Sequence, residues 1–95
     1  MIEVLQTLHF RRWLLGLRDL KAIKAVNQRI LRLSGGNFGD VKYFDGIGEL
    51  RIDLGPGYRV YFVRRGSVVV ILLSGGDKST QTRDIAAAKA MAEEY

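Results

Sequence analysis

The chain has 95 residues, 47% of them apolar, no cysteine and one proline. That length fits a single domain spanning 1–95 with one core, and the absence of cysteine excludes disulfides and thiolate metal sites. Fifteen Lys and Arg against ten Asp and Glu leave a formal charge of +5, which suits a polyanionic partner without requiring one.

Ile2 to Gln6 has the length of a short strand, and Thr7 can cap a following helix. Phe10, Trp13, Leu14 and Leu17 recur at i, i+3, i+4 and i+7, one apolar stripe that assigns Trp13 to the core. His9 lies in this helix without ligand partners, so no metal site and no histidine triad is expected. Asp19 is the next cap. Leu20, Ile23, Val26, Ile30 and Leu33 form a second stripe that stops at Gly35-Gly36, which makes the pair an α-hairpin. Seven of the fifteen cations fall before residue 35, where the acids are Glu3 and Asp19. Lys21, Lys24 and Arg32 line the outer side of the second helix and form a candidate footprint for RNA or another polyanion.

Gly35 to Asp40 reads as a loop and Val41 to Phe44 as a strand that breaks at Asp45-Gly46. From Glu49 to Leu54 apolar and polar residues alternate, Gly55-Pro56-Gly57 can reverse the chain, and a second arm begins at Tyr58. Antiparallel pairing of the arms would gather Arg51, Asp53, Arg59 and Tyr61 on one open face, with Glu49 beside them. Cations fixed on a strand face suit a phosphate ester. After the turn Arg64-Arg65-Gly66-Ser67, the run Val68 to Leu73 belongs in the middle of a sheet, covered on both faces. It is also the longest apolar run, far short of the roughly 20 residues of a membrane span. With no signal-peptide pattern, a cytoplasmic protein with no membrane partner is expected. Ser74 to Gln81 reads as a polar loop without the spacing of a nucleotide-binding P-loop. An alanine-rich helix from about Gln81 to Glu94 closes the chain. The order predicts an α+β domain: N-terminal strand, α-hairpin, an antiparallel sheet of three or four strands and a C-terminal helix. The hairpin should cover one sheet face and leave the other for function.

Several segments, taken together, resemble a known family: Phe10-x-x-Trp13-Leu14, Gly36-Asn37-Phe38-Gly39-Asp40-x-Lys42, Gly48-Glu49-Leu50-Arg51-Ile52, Gly55-Pro56-Gly57-Tyr58-Arg59-Val60-Tyr61-Phe62 and Leu72-Leu73-x-Gly75-Gly76-Asp77-Lys78-x-x-Gln81. Their order and spacing resemble RelE/ParE-superfamily toxins of bacterial toxin-antitoxin modules, most of all the HigB-like group called addiction module killer proteins. The resemblance implies a RelE-like fold and a toxin that enters the ribosomal A site and cuts messenger RNA during translation. It further implies metal-independent attack by the RNA 2′-hydroxyl, no cofactor, and inactivation by a cognate antitoxin, expected to be a helix-turn-helix DNA-binding protein. The ParE branch instead poisons DNA gyrase, and a weakly active member that mainly binds antitoxin is a further alternative; fold alone does not choose among them.

Carried over by position, Arg59 matches the arginine implicated in stabilising the scissile phosphate. Arg51 and Lys78 match further basic positions, and Lys42 belongs to the killer-protein pattern. Two positions depart from RelE. Asp53 stands where RelE has a second strand lysine, and Asp84 falls about where it has a late tyrosine. The candidate general bases are therefore Glu49, Asp53, Asp77 and Asp84, while Tyr61 or Tyr58 could donate a proton or stack on an RNA base.

Overall fold

In the computed structural model, which describes residues 1–95, Thr7 marks the junction of the first strand, β1 (Glu3–Gln6), with helix α1 (Leu8–Gly16). Its hydroxyl accepts from the Phe10 amide at 3.0 Å and donates to the Leu73 carbonyl at 2.8 Å. One buried side chain thus caps a helix and fastens it to the sheet. Thr7→Ala is expected to cost about 1–2 kcal/mol, read as a lower urea midpoint at unchanged slope.

Asp19 caps α2 (Leu20–Ser34) through the Lys21 amide. Strands β2 (Val41–Phe44), β3 (Ile47–Ile52), β4 (Tyr58–Arg65) and β5 (Val69–Asp77) follow, then a single 3-10 turn at Lys78–Thr80 and helix α3 (Gln81–Ala92). Asp45 and Gly46 both take positive φ, 51° and 82°, the turn geometry that matches the twist of a tight hairpin.

The five strands form one mixed sheet in the order β1-β5-β4-β3-β2. The architecture is α+β, but the expected antiparallel sheet of three or four strands is corrected: β1 joins as a fifth strand, parallel to β5, with Glu3 opposite Val69 and Gln6 opposite Leu72. The apolar run in β5 thereby gains a neighbour on each edge, as a strand buried on both faces requires.

A second correction concerns the far end of β5. Ser74-Gly75-Gly76, expected as loop, is strand interior paired with β4, and Gly75 and Gly76 lie opposite Val60 and Arg59. Glycine is needed there because a Cβ on Gly75 would enter the Trp13 ring, and one on Gly76 would meet the Asp84 carboxylate.

Both sheet faces are covered. On one, α1 and α2 bring Phe10, Ala22, Val26 and Leu33 against Leu50, Val60, Phe62 and Leu72. On the other, α3 lies over Ile47, Tyr61, Val63, Ile71 and Leu73, with Ala88 fully buried at the contact. The face expected to be open is therefore largely closed, and only its end beyond the first turn of α3 remains accessible. Within α2 the stripe also shifts: Val26 and Leu33 are buried as expected, joined by Ala22, whereas Leu20 is 80% exposed. No helix of the molecule is long and apolar enough to cross a membrane.

Candidate functional site

Antiparallel register places Arg51 of β3 directly opposite Arg59 of β4, and Arg59 opposite Gly76 of β5. The side chains of Arg51 and Arg59 project from the α3 face of the sheet, where Gly76 has no side chain to cover them. Gly57, at φ +80°, turns the chain into β4, and the aliphatic stem of Lys78 runs within 3.1–3.3 Å of where a Gly57 Cβ would sit. That close approach places Lys78 over the same end of the sheet. The result is a polar cleft of about 210 Å³ lined by Asp40, Arg51, Asp53, Gly57, Arg59 and Lys78, without an apolar residue in its wall.

The two arginines sit in different electrostatic settings. Arg51 is 40% exposed in its side chain and bonds the Asp40 carboxylate through Nη2 at 2.8 Å and Nε at 3.2 Å. That pairing holds its pKa above the ordinary guanidinium value. Arg59 is 8% exposed, donates from Nη1 to the Tyr58 carbonyl at 3.0 Å, and its Nε has no partner. The ion pairs of the molecule are Arg51–Asp40, Arg83–Asp84 and Lys89–Asp45, so Arg59 has no carboxylate. A desolvated guanidinium without a carboxylate partner in a cleft wall is suited to an anion from outside.

Arg29 of α2 fixes the Asp40 side of the cleft. Its guanidinium donates to the carbonyl oxygens of Phe38, Asp40 and Arg51, tying the loop after α2 to the end of β3. Burial pulls its pKa below the ordinary value, opposed by the Asp40 carboxylate. Gly39 leaves room for this fork, since its Cβ would lie 3.2 Å from an Arg29 nitrogen.

Two residues further along each strand pair, Lys42, Glu49, Tyr61 and Ser74 form the next cross-strand row on the same face. Glu49 is 2% exposed and accepts from Gln81 Nε2 at 2.9 Å. The Tyr61 hydroxyl and Ser74 Oγ are buried without a partner. Burial first, and the Glu49 carboxylate second, raise the Tyr61 pKa above its ordinary 10.0. Folded Tyr61 therefore keeps its proton where unfolded tyrosine loses one, so this group leaves stability independent of pH below about pH 10 and lowers it progressively above. Urea unfolding from pH 8 to 11 should show this decline, and Tyr61→Phe should flatten it while leaving stability at pH 7 unchanged or slightly higher, since it removes an unpaired buried hydroxyl.

The structure thus brings Arg51, Asp53, Arg59 and Lys78 together, as the sequence led us to expect, and separates them from the other candidates. Asp53 lies just past the end of β3, exposed at the cleft and outside every ion pair. Tyr61 is corrected from an open-face residue to a fully buried one beneath α3. Tyr58 is corrected from a base-stacking candidate to the opposite face, where it meets Trp13 edge-on at 6.5 Å. Glu49 is closed off by Gln81. Asp77 caps the 3-10 turn, and its bonds from the Ser79 hydroxyl and amide hold its carboxyl below the usual range. Asp84 accepts from the Thr80 hydroxyl and pairs with Arg83 at 3.5 Å. Lys42 is exposed on the edge strand β2, its ammonium 5.9 Å from the Phe44 ring centroid. Lys21, Lys24 and Arg32 are exposed on α2, on the other side of the sheet, and contribute nothing to the cleft. Asp40, Gly57 and Arg29 were missed as site residues. Only the glycine carried a local signal, because a loop acid and a helix arginine reveal no partner without tertiary register.

No family model matches this sequence. A protein of Haemophilus influenzae (strain Rd) described as uncharacterized is 55% identical over 94 residues, spanning 98% of this chain and 95% of its own length. The chain belongs to the same family as that protein.

Proposed function

We propose that the chain is a toxin of the RelE/ParE superfamily, of the HigB-like group, and that its cleft grips the scissile phosphate of messenger RNA on the ribosome. The observation that carries this reading is Arg59: a largely buried guanidinium with no carboxylate partner, lining a cleft shared with Arg51 and Lys78. In this reaction the RNA 2′-oxygen bonds to the adjacent phosphorus, the bond to the 5′-oxygen breaks, and a 2′,3′-cyclic phosphate and a 5′-hydroxyl result. The 2′-hydroxyl proton needs an acceptor and the departing 5′-oxygen needs a donor. Asp53 is the cleft carboxylate without a protein partner and serves as the acceptor; Lys78, whose stem runs over Gly57 into the cleft lining, serves as the donor through its ammonium. Arg59 and Arg51 stabilise the charge that builds on the phosphoryl oxygens.

An exposed aspartate is a weak base, so orientation has to supply much of the rate. A ribosome that holds the message in line supplies it, since orientation contributes up to roughly 7–11 kcal/mol in favourable systems. A cognate antitoxin with a helix-turn-helix domain completes the proposed module. The reading is tested with purified protein: translating ribosomes should yield cut message, whereas the same RNA without ribosomes stays intact over the same hour. Equal cutting of both, or of neither, would overturn it. The withdrawal of Tyr58 and Tyr61 from the cleft favours one second reading, a gyrase poison that binds without chemistry of its own, for which purified gyrase would accumulate cleaved plasmid when the protein is added.

A further inference from the structure

The side of α2 turned away from the sheet leaves two leucines in water. Leu20 is 80% exposed and Leu31 73% exposed. They end a line Leu20, Lys24, Asn27, Leu31 at i, i+4, i+7 and i+11, the spacing of a coiled-coil seam. A shallow groove of about 450 Å³ runs along it, lined by Leu20, Ile23, Lys24, Asn27, Gln28 and Leu31. Single exposed leucines are common. Two on one helical line, joined by a groove and interrupted at mid-length by a lysine and an asparagine, have the make-up of a helix-docking surface with a polar register mark.

Charge identifies the occupant. Lys21, Lys24 and Arg32 are exposed on this helix, and the nearest acid, Asp19, is used as its N-cap. A second copy laid along the seam would set these cations against their own counterparts, so self-association is opposed. A nucleic-acid strand would meet the cations but leave Leu20, Ile23 and Leu31 without apolar partners.

We propose that α2 docks an acidic amphipathic helix of a partner protein. Apolar side chains of that helix cover Leu20 and Leu31, a carboxylate meets Lys24, and a polar side chain meets Asn27. With 15 residues α2 is about 22 Å long, so roughly two to three heptads of partner suffice. The seam and the cleft lie on opposite sides of the sheet, so a helix docked on α2 leaves Arg59 accessible. Failure of either reading leaves the other standing.

The test uses the full-length ¹⁵N-labelled chain and three synthetic three-heptad peptides: one with leucine seam positions and glutamate flanks, one with lysine in place of the glutamates, and one with serine in place of the leucines. The acidic leucine peptide should shift the amides of residues 20–31 saturably, and the other two should bind at least tenfold more weakly. Leu20→Ser and Leu31→Ser, whose side chains lie in water and are not needed for folding, should each weaken binding at least fivefold. Equal binding of the lysine peptide, shifts elsewhere on the molecule, or no shift at millimolar peptide would overturn the proposal. So would a concentration-dependent dimer in sedimentation that Leu31→Ser abolishes, which would make a second copy the occupant.

Discussion

Arg59→Ala is expected to lower ribosome-dependent mRNA cleavage by about 10²–10³-fold, the usual loss when one preorganised donor to a developing oxyanion is removed. The fold should survive. Arg59 has no carboxylate partner, and its one protein hydrogen bond goes to the carbonyl of the preceding residue. Its removal therefore strands no buried counter-charge, and it relieves the burial of a guanidinium, so the urea midpoint should move by no more than about 1 kcal/mol equivalent. Arg59→Lys keeps the charge but loses the planar fork and its Nε, and should recover only a small part of the activity. Cleavage assays beside unfolding curves separate the two quantities; a folded Arg59→Ala protein that cuts at the wild-type rate would contradict the assignment.

The largest stability loss is expected at Gly75→Ala. Its Cβ would enter the six-membered ring of Trp13, and neither neighbour yields easily. Gly75 sits inside β5, opposite Val60. Trp13 is wedged between Phe10, at 5.8 Å, and Tyr58, at 6.5 Å between ring centroids. Overpacking typically costs 1–3 kcal/mol, and with backbone on one side and three mutually packed rings on the other we expect about 3 kcal/mol or more. Placed in a Trp13→Leu background, the same substitution should cost markedly less. A double-mutant cycle by urea unfolding reads that coupling, which additive costs would contradict.

The legible parts of this molecule were local ones. Thr7 and Asp19 cap helices because a short oxygen acceptor just before an apolar periodic segment has few other uses. Alternation through Glu49 to Phe62 is enough to place Arg51 and Arg59 on one face, since a period of two admits only two faces. Two kinds of information were not local. The alanine-rich helix α3 shows little apolar stripe, so nothing in its residues announced that it would cover Tyr61 and close most of the expected open face. The parallel pairing of β1 with β5 joins residues more than sixty positions apart. Gly75 and Gly76 misled for a related reason: their glycines serve close approach by Trp13 and Asp84, and in sequence that need looks the same as a flexible loop. At the cleft, the basic members were readable and their organisation was not. Asp40 orients Arg51 from a loop, Arg29 holds that loop from a helix, and both links depend on how distant segments meet.

The central claim is that the Arg51, Arg59 and Lys78 cleft acts on a phosphate of translated message. Its most direct test is to map mRNA 5′ ends within minutes of induction, in cells producing either the wild-type chain or Arg59→Ala. New ends should appear inside translated reading frames, carry 5′-hydroxyls, and vanish in the variant at equal protein level. Intact messages alongside arrested growth, or identical ends from wild type and Arg59→Ala, would contradict it.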